Sequence, residues 1–318
     1  MKPGDMKAAV LTRYGGNDTV EVRDVPIPAP RSDEVLIRVR AAGVNPVDWK
    51  VRDGQTRILT GSTFPKILGI ECAGEIAGMG AHAKKYSTGD QVIANTGMRL
   101  GAYAEYVAVA EKTVFPKPHN VSFEDAATVL IAGLTALQAL RDKGKIGPGM
   151  NVLINGAAGG VGTFAVQIAK TFGARVVAVC SKGNADLVKG LGADRVLDRR
   201  QQDFTEAGET YDIIFDAVST SSFGGCKRSL TRRGVYVNTL PGPSIFWNIL
   251  ITSMVPGKKA ATMMVSQRAD DVAWLCDQIG TGKVKVVQDT VYPLERVQEA
   301  LAHSETGTAK GKIILSVA

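Results

Sequence analysis

The sequence is constrained most strongly by an alternation of short apolar runs and helical patterns that starts at residue 151. We predict strands at 151–155, 175–180, 195–197, 211–217 and 234–238, a last strand at 262–265, and helices at 161–172, 185–191 and 223–230. Apolar strands that alternate with helices of about ten residues are typical of a parallel sheet covered by helices on both faces. The sequence therefore predicts an α/β fold with a doubly wound, Rossmann-type parallel sheet in this part of the chain.

The residues on either side of this alternation have a different pattern. Runs at 7–12, 35–39, 91–94 and 102–109, punctuated by Pro and Gly, predict a compact, partly barrel-like β-rich domain. Ser122, followed by Asp125, indicates the start of a helix that extends to about Lys143. In the tail we predict helices at 270–279 and 294–302 and strands at 284–291 and 312–317.

These changes of pattern divide the chain into three segments. We expect residues 1–120 to form the first part of the β-rich domain and residues 121–266 to form the α/β domain. Residues 267–318 are expected to return to the β-rich domain, which would then be discontinuous in sequence.

A glycine-rich turn follows the first strand of the alternation. The sequence VLINGAAGGVG at 152–162 places a buried strand, a turn and an apolar helix in the order that a dinucleotide site requires. Gly159 lets the backbone approach a pyrophosphate, Gly162 permits close packing of the helix on the strand, and the helix N-terminus offers free N–H groups. We therefore predict cofactor contacts at Ala158, Gly159, Gly160 and Val161. A glycine-rich turn without a ligand is the alternative.

The end of the second strand indicates which dinucleotide is bound. An NAD site usually has an acid there, which binds the ribose 2′-hydroxyl. Here Cys180 is followed by Ser181 and Lys182, which can bind a 2′-phosphate that a carboxylate would repel. The sequence therefore predicts NADPH. Arg199, after the third strand, supplies a second cation or is a solvated surface residue beside Arg200.

Composition limits the other classes of function. The net charge of +7 comes from cations spread along the chain, so we expect a solvated basic surface and no nucleic-acid partner. None of the four cysteines forms a CxxC pair, and none of the three histidines has metal-ligand spacing, which predicts reduced thiols and no metal. The first residues are not expected to form a signal peptide, and the sequence has no run of about 18 apolar residues. We therefore expect a cytoplasmic protein without a membrane partner.

One apolar segment, residues 245–255, is too short to span a membrane and is interrupted by Asn248 and Ser253. Its side chains either line a hydrophobic substrate cleft or cover a sheet edge in a dimer.

Several separate motifs together resemble a known family. They are AAGVNPVDWK at 41–50, LGIECAG at 68–74, GAYAEYV at 101–107, AGLTA at 132–136, the glycine turn, and GKIIL at 311–315. From about Met6 to Val317 the chain resembles the medium-chain dehydrogenase/reductase superfamily, in its zinc-independent quinone oxidoreductase branch. Zeta-crystallin-like quinone reductases and plant alkenal/enone oxidoreductases are the types it resembles. The resemblance implies a GroES-like β-rich domain and a homodimer.

The sequence departs from the zinc-dependent members at the ligand positions. Those members carry a Cys in the first motif and a His–Glu pair in the second, whereas this chain has Asn45 and no Cys in the first motif and Ile70 at the His position. The cysteine-rich lobe for structural zinc is absent too. Ala157 occupies the first glycine position of the fingerprint, and Arg199 stands where quinone reductases often have a Tyr.

The resemblance also suggests which residues border the reacting groups. Asn45 would donate to the substrate or the nicotinamide ribose, or else is a turn residue before Pro46. Lys50 would polarise a carbonyl oxygen, or else is an exposed lysine. Thr135 resembles the residue that borders the nicotinamide in the family, or else it is a helix Thr that bonds back to its own chain. Leu240 is expected to contact the cofactor.

These residues predict a specific reaction. We expect NADPH-dependent, zinc-independent hydride transfer to a quinone or an α,β-unsaturated carbonyl compound. The alternative is a catalytically weak NADPH-binding member of the same fold with a structural or RNA-binding role. A zinc alcohol dehydrogenase is a third reading, which the missing ligands disfavour.

Overall fold

The computed structural model describes residues 4–317, which divide into two compact units. The β-rich unit comprises the stretch up to Ile131, Gln267–Gly280 and the stretch from Gln288 onward. The α/β unit comprises Ala132–Ser266 and Thr281–Val287.

The strands are short and are numbered in chain order through the described residues. They are β1 Asp5–Leu11, β2 Val20–Pro26, β3 Glu34–Val44, β4 Lys66–Ile67, β5 Glu71–Met79, β6 Gln91–Asn95, β7 Tyr106–Ala110, β8 Val114–Pro116, β9 Asn151–Asn155, β10 Arg175–Cys180, β11 Arg195–Asp198, β12 Tyr211–Asp216, β13 Leu230–Asn238, β14 Lys259–Thr262, β15 Gln288–Pro293 and β16 Lys312–Ser316.

The α-helices are numbered in the same way. They are α1 Pro46–Arg52, α2 Arg57–Thr60, α3 Phe123–Ala126, α4 Leu134–Gln138, α5 Gly160–Thr171, α6 Ala185–Gly190, α7 Phe223–Cys226, α8 Pro243–Met254, α9 Ala269–Gly280 and α10 Val297–Thr306. Two π-helical segments, Val129–Gly133 and Ala139–Lys143, adjoin α4 on either side.

The α/β unit is built on a six-stranded sheet in the order β11-β10-β9-β12-β13-β14. Every pairing in it is parallel. This is the doubly wound order, which reverses direction between β9 and β12, the place where such sheets bind dinucleotides. The predicted α/β fold class is confirmed.

The β-rich unit contains a three-stranded sheet, β2-β1-β4, and a seven-stranded sheet, β15-β16-β3-β5-β6-β8, with β7 also paired to β3. Strand β16, from the end of the chain, pairs antiparallel with β3, matching Ile313 to Val44. The C-terminal segment therefore completes a sheet that the N-terminal segment begins, as the sequence predicted for a discontinuous GroES-like unit.

Some predicted element bounds were wrong. The last strand of the parallel sheet is β14 rather than 262–265, and 284–291 contributes a strand only from Gln288. Strand β7 begins at Tyr106 rather than at residue 102, and the predicted helix at 223–230 ends early because β13 begins at Leu230.

Other elements were missed by the sequence patterns. Strand β5 was not predicted, because Gly74 and Gly78 were counted among the glycines that separate strands. A Cβ at Gly74 would lie 2.1 Å from the carbonyl oxygen of Arg38, so this glycine is required by the close approach of β5 to β3. Residues 46–52, expected to be a loop, form α1, with Pro46 in the first turn, where its missing N–H costs no hydrogen bond.

One helical stretch, Phe123–Lys143, is long and apolar enough to cross a membrane by length and composition. In this structure 78% of its most apolar window is buried inside the protein. A core helix of a folded domain meets the same criterion, and the burial is that of a core helix.

Candidate active site

The glycine turn joins β9 to α5 and leaves no room for side chains at two of its positions. Gly156 has φ +79°, a conformation that L-residues rarely adopt, and a Cβ there would lie 2.4 Å from Val218. A Cβ at Gly162 would lie 2.1 Å from the carbonyl oxygen of Gly156. The N–H groups of Gly156 and Ala157 both donate to the carbonyl of Val179, at 3.1 Å. The turn is therefore fixed against the end of β10.

Helix α5 begins directly at this turn, with Gly159 as its N-cap in extended backbone. The first N–H groups of a helix have no partner within the helix, and the helix dipole places partial positive charge there. At Gly159 an added Cβ would meet only the Gly156 carbonyl oxygen, at 3.5 Å, within 4 Å. The surface beside Gly159 is thus open to an anionic group, which fits the pyrophosphate of a dinucleotide.

The residues predicted to select the cofactor lie at neighbouring strand ends. Cys180 and Asp198 are paired in the register of β10 and β11, and the N–H of Arg199 donates to the carbonyl of Cys180 at 2.9 Å. Ser181 is half-buried, whereas Lys182 and Arg199 are exposed. The structure therefore brings Ser181, Lys182 and Arg199 to one edge, beside the glycine turn.

An acid that the sequence analysis did not consider stands at the same edge. Asp198 ends β11, and its carboxylate accepts a hydrogen bond from the N–H of Arg200 at 3.1 Å. Burial, followed by the negative charge of Asp198, raises the pKa of the Cys180 thiol, and Arg199 opposes this rise. One carboxylate and two cations, Lys182 and Arg199, thus share this edge of the sheet.

A second buried network orders the loop after β12. Asp216 is fully buried, and its carboxylate accepts from the Asn155 amide at 2.9 Å, the Tyr236 hydroxyl at 3.0 Å and the Ser221 N–H at 2.8 Å. Asn155 comes just before the glycine turn, so this network connects the ends of three adjacent strands. No motif drew attention to it, because its members are dispersed along the chain.

The remaining predicted contacts of the α/β unit differ in exposure. Thr135 is buried in α4. Leu240 follows β13 and is 53% exposed, and its carbonyl accepts from the Asn238 side-chain amide at 3.0 Å.

In the β-rich unit, Asn45 is buried and its side-chain amide is fully engaged. Its Oδ1 accepts from the Lys312 ammonium at 2.7 Å, and its Nδ2 donates to Glu71 Oε1 at 2.8 Å and to the Gly43 carbonyl at 3.3 Å. Lys312 and Glu71 form an ion pair at 3.3 Å, with side chains 4% and 1% exposed. The other Glu71 oxygen accepts from the N–H of Ile131 at 2.9 Å.

Asp48 lies next to this cluster, on the first turn of α1. Its Oδ2 accepts from the N–H of Asn45 and from the Tyr103 hydroxyl, both at 2.7 Å. Its Oδ1 has no hydrogen-bond partner within residues 4–317. Burial raises the pKa of the Asp48 carboxyl from 3.8 to about 7, against the opposing effects of Tyr103, the Asn45 N–H and Lys312.

Lys50, the second predicted catalytic residue, lies on α1 one turn after Pro46. It is half-buried, and its ammonium is 5.4 Å from the centroid of the Trp49 ring. It belongs to the same short helix that Asn45 and Asp48 hold in place. The sequence motifs contained Glu71 and Lys312, but nothing in the sequence indicated that these residues pair with each other.

Known proteins share this architecture. A family model described as "Alcohol dehydrogenase GroES-like domain" matches residues 31–119, and one described as "Zinc-binding dehydrogenase" matches residues 191–315. The chain is 34% identical to a chloroplast envelope quinone oxidoreductase homolog of Arabidopsis thaliana, with 98% of each chain covered. It is also 34% identical to the NADPH-dependent alkenal/one oxidoreductase, chloroplastic, of the same plant, over 98% of this chain and 80% of that protein.

A solved structure, the quinone oxidoreductase from Coxiella burnetii, matches 99% of this chain and 100% of its own, with a TM-score of 0.93 and 29% identity. The chain belongs to the medium-chain dehydrogenase/reductase superfamily. It is an oxidoreductase of this superfamily, and the resemblance predicted from the sequence motifs is confirmed.

Members of the superfamily differ in whether they hold zinc. In the part of this chain that the structure describes, no three His, Cys, Asp or Glu side chains are grouped as a metal site would require. Cys72 is buried in β5, where burial raises the pKa of its thiol to about 12.

We predict that Asp48 makes the stability of this superfamily member depend on pH. Because the folded carboxyl keeps its proton up to about pH 7 and an unfolded one loses it near 3.8, the native state binds more protons in between. The free energy of unfolding should therefore fall as the pH rises through this window. Relative to Asp48→Asn, the wild type should lose up to about 1.4 kcal/mol per pH unit.

The measurement is urea unfolding of both proteins at several pH values across this range. Asp33→Asn, which changes an exposed carboxyl, is the matched control and should follow the wild type. A constant difference between the wild type and Asp48→Asn at every pH would contradict the prediction.

Proposed function

We propose that this oxidoreductase uses NADPH to reduce quinones or α,β-unsaturated carbonyl compounds by hydride transfer and does so without zinc. The observation that carries the proposal is the glycine turn at the end of β9, with Ser181, Lys182 and Arg199 at the adjoining strand ends.

The preference for NADPH rests on charge. Lys182 and Arg199 are exposed cations, and Ser181 offers a hydroxyl, at the edge where the adenosine ribose lies in this fold. A 2′-phosphate carries up to two negative charges, and charge-assisted hydrogen bonds to it are among the stronger ones in proteins. Asp198 opposes this attraction with one negative charge against the two positive charges of Lys182 and Arg199. A relative whose name includes "NADPH-dependent" supports the same assignment.

The proposed substrate class rests on the relatives and on Lys50. One relative is named a quinone oxidoreductase homolog and another an alkenal/one oxidoreductase. Bound NADPH supplies a hydride from its nicotinamide ring. Reduction of either substrate class places negative charge on an oxygen, which a nearby cation stabilises. We assign this role to the ammonium of Lys50, which is held on α1.

For Asn45, the geometry favours a positioning role. Its amide already bonds to Lys312, Glu71 and Gly43, and the 3.3 Å bond to Gly43 is the longest of the three. A direct bond from Asn45 to the substrate or the ribose would have to replace one of these bonds. Asn45 precedes α1 directly, so its three bonds fix where the helix that carries Lys50 begins.

Zinc independence is supported by the residues at the ligand positions. Asn45 and Ile70 stand where zinc-dependent members carry a Cys and a His, and Ile70 is buried. The buried Lys312 ammonium already neutralises Glu71, so a dication beside it would be repelled.

The remaining expectations stay proposals. A homodimer is implied by the family resemblance, and a cytoplasmic location by four buried free cysteines. Two relatives are described as chloroplast proteins, so cell fractionation is the appropriate test of location. The RNA-binding alternative is supported by the positive net charge alone.

The proposal is tested by NADPH oxidation with a panel of 2-alkenals, enones and quinones, repeated with NADH. Lys182→Ala should lower kcat/KM for NADPH by roughly 10–100-fold, the effect of one lost charge-assisted hydrogen bond, and leave the value for NADH nearly unchanged. Lys189→Ala removes an exposed lysine of α6 and is the matched control.

Two results would contradict the proposal. The first is that no compound of the panel is reduced with either cofactor. The second is that Lys182→Ala lowers kcat/KM equally for NADPH and NADH. Lys182 would then not bind the 2′-phosphate.

The glycine turn gives a separate prediction. Gly159→Ala should leave the free energy of unfolding within about 0.5 kcal/mol, because its Cβ has space, but should weaken NADPH binding at least tenfold by occupying the surface that the pyrophosphate approaches. Gly162→Ala should lower the free energy of unfolding by about 1–3 kcal/mol, because its Cβ meets backbone.

Thermal unfolding and fluorescence titration with NADPH measure the two effects. If Gly159→Ala bound NADPH as tightly as the wild type, the pyrophosphate would not lie against this part of the turn.

A further inference from the structure

The β-rich unit contains a cleft that is lined by none of the residues assigned above to the cofactor or the reaction. Its volume is about 570 Å³, within the range of about 300–1,000 Å³ that is usual for small-molecule sites. Most of its wall comes from the segment that joins β2 to β3, from residues 60–67, from the turn at 98–101 and from the start of β7. Asn45, Asp48 and Lys50 are not among the lining residues. The cleft is therefore a candidate for a binding site of its own.

The greater part of the wall of this cleft is apolar. The apolar lining includes Pro28, Ile67, Met98, Leu100 and Val107. Leu100 and Val107 are buried and the other three are half-buried, so side chains of the core and of the surface meet here. Apolar side chains that are partly uncovered in a concave surface favour a ligand with an apolar body, because binding removes their remaining area from water.

One residue of this wall has a strained backbone. Leu100 has φ +63° and ψ −164°, a conformation that bulky L-residues rarely adopt. It lies in the turn between β6 and β7, and its N–H donates to the carbonyl of Gly97 at 3.1 Å. Strained residues of this kind persist where their surroundings hold them, and they cluster at functional sites. The turn thus fixes Leu100 in the wall and Arg99, the preceding residue, beside it.

Three cations and one acid also line the cleft within the described part of the chain. They are Arg31, Lys66, Arg99 and Glu34. The Glu34 side chain is 5% exposed, and its Oε1 forms an ion pair with Arg99 at 2.9 Å. Its Oε2 accepts a hydrogen bond from the backbone N–H of Arg31 at 3.0 Å. Both oxygens of the acid are therefore engaged, and the lining keeps an excess of positive charge.

Arg31 is the cation with the most hydrogen-bond donors left for a ligand. Arg99 is paired with Glu34, and the Lys66 ammonium donates to the carbonyl of Thr60 at 2.8 Å. The guanidinium of Arg31 has no ion-pair or hydrogen-bond partner among residues 4–317, so its five N–H donors are available. A planar fork of N–H groups matches the two oxygens of a carboxylate.

We propose that this cleft binds a small organic carboxylate with an apolar body. The carboxylate pairs with the guanidinium of Arg31, and the charges of Arg99 and Lys66 strengthen the attraction. The apolar body lies against the wall that contains Met98 and Leu100. The proposal is independent of the proposed reaction, because neither NADPH nor Lys50 takes part in this binding.

Two other kinds of ligand fit the cleft less well. A divalent cation would be repelled by the excess of positive charge, and Glu34 is already paired with Arg99. A phosphate group presents three acceptor oxygens and up to two negative charges. Only one guanidinium of the described lining, that of Arg31, is unpaired, so the cleft suits a single carboxylate better.

The test is isothermal titration calorimetry of the full chain with octanoate, acetate and 1-octanol. Octanoate should bind saturably at one site per chain. Acetate lacks the apolar body and octanol lacks the charge, so each should bind more weakly than octanoate by about tenfold or more.

Two substitutions locate the site. Arg31→Gln should weaken octanoate binding by roughly 10–100-fold, the effect of one lost charge-assisted pair. Ala29→Glu places a carboxylate at an exposed lining position and should also weaken binding, because like charges repel. Arg23→Gln and Ala273→Glu make the same changes at exposed positions of the β-rich unit outside the cleft. These matched controls should bind octanoate like the wild type.

Four results would overturn the proposal. Octanoate could fail to bind saturably. Octanol could bind as tightly as octanoate, so that no carboxylate is recognised. Lys50→Ala could abolish binding while Arg31→Gln leaves it unchanged, which would place octanoate at the proposed reaction site. Arg31→Gln could change the oligomeric state in light scattering without any octanoate binding, which would assign the cleft to a second copy. None of these readouts depends on reductase activity, so the proposed function is tested separately.

Discussion

The α/β unit depends on the glycine turn after β9, where the backbone of α5 packs directly on the backbone of the turn. At the end of β9 the chain turns so tightly that a Cβ on Gly162 would lie 2.1 Å from the Gly156 carbonyl oxygen. This closeness sets the start of α5, whose first N–H groups have no partner within the helix. It also leaves the surface beside Gly159 open. The turn is bonded to Val179 of β10, so Ser181 and Lys182, just beyond that strand, are positioned by the same contacts.

The β-rich unit is organised by a different interaction, a buried ion pair with a shared amide. Lys312, Glu71 and Asn45 come from β16, the start of β5 and the residue before α1, and they bond to one another with almost no exposure. Burying two charges is costly unless every partner is satisfied, which makes such a network sensitive to displacement of any one member. It links the end of the chain to the helix that carries Lys50.

The features that could be predicted from the sequence are those set by residues that are close together in the chain. The alternation after residue 151 and the glycine turn predicted the parallel sheet, since period and turn chemistry are set by neighbouring residues. Strand β5 was missed because its Gly74 is required by the close approach of β3, a contact that no local sequence pattern reveals. The same holds for the pairing of Lys312 with Glu71, which are 241 residues apart. Asp198 was not considered because the acid that binds the ribose of NAD is expected at the end of the second strand, whereas Asp198 ends the third.

Surface features were the least predictable from the sequence. The cations looked evenly spread along the chain, yet the fold brings Arg31, Lys66 and Arg99 to one cleft from three separate stretches of the sequence. The sequence left open whether the apolar residues of α8 line a substrate cleft or cover a sheet edge, and the structure shows which side of the helix is buried.

The measurement that tests the central claim most directly is isothermal titration calorimetry of the purified chain with NADPH and with NADH. The arrangement of glycine turn, Ser181, Lys182 and Arg199 predicts one site per chain with clearly tighter binding of NADPH. Binding of neither nucleotide, or tighter binding of NADH, would contradict it.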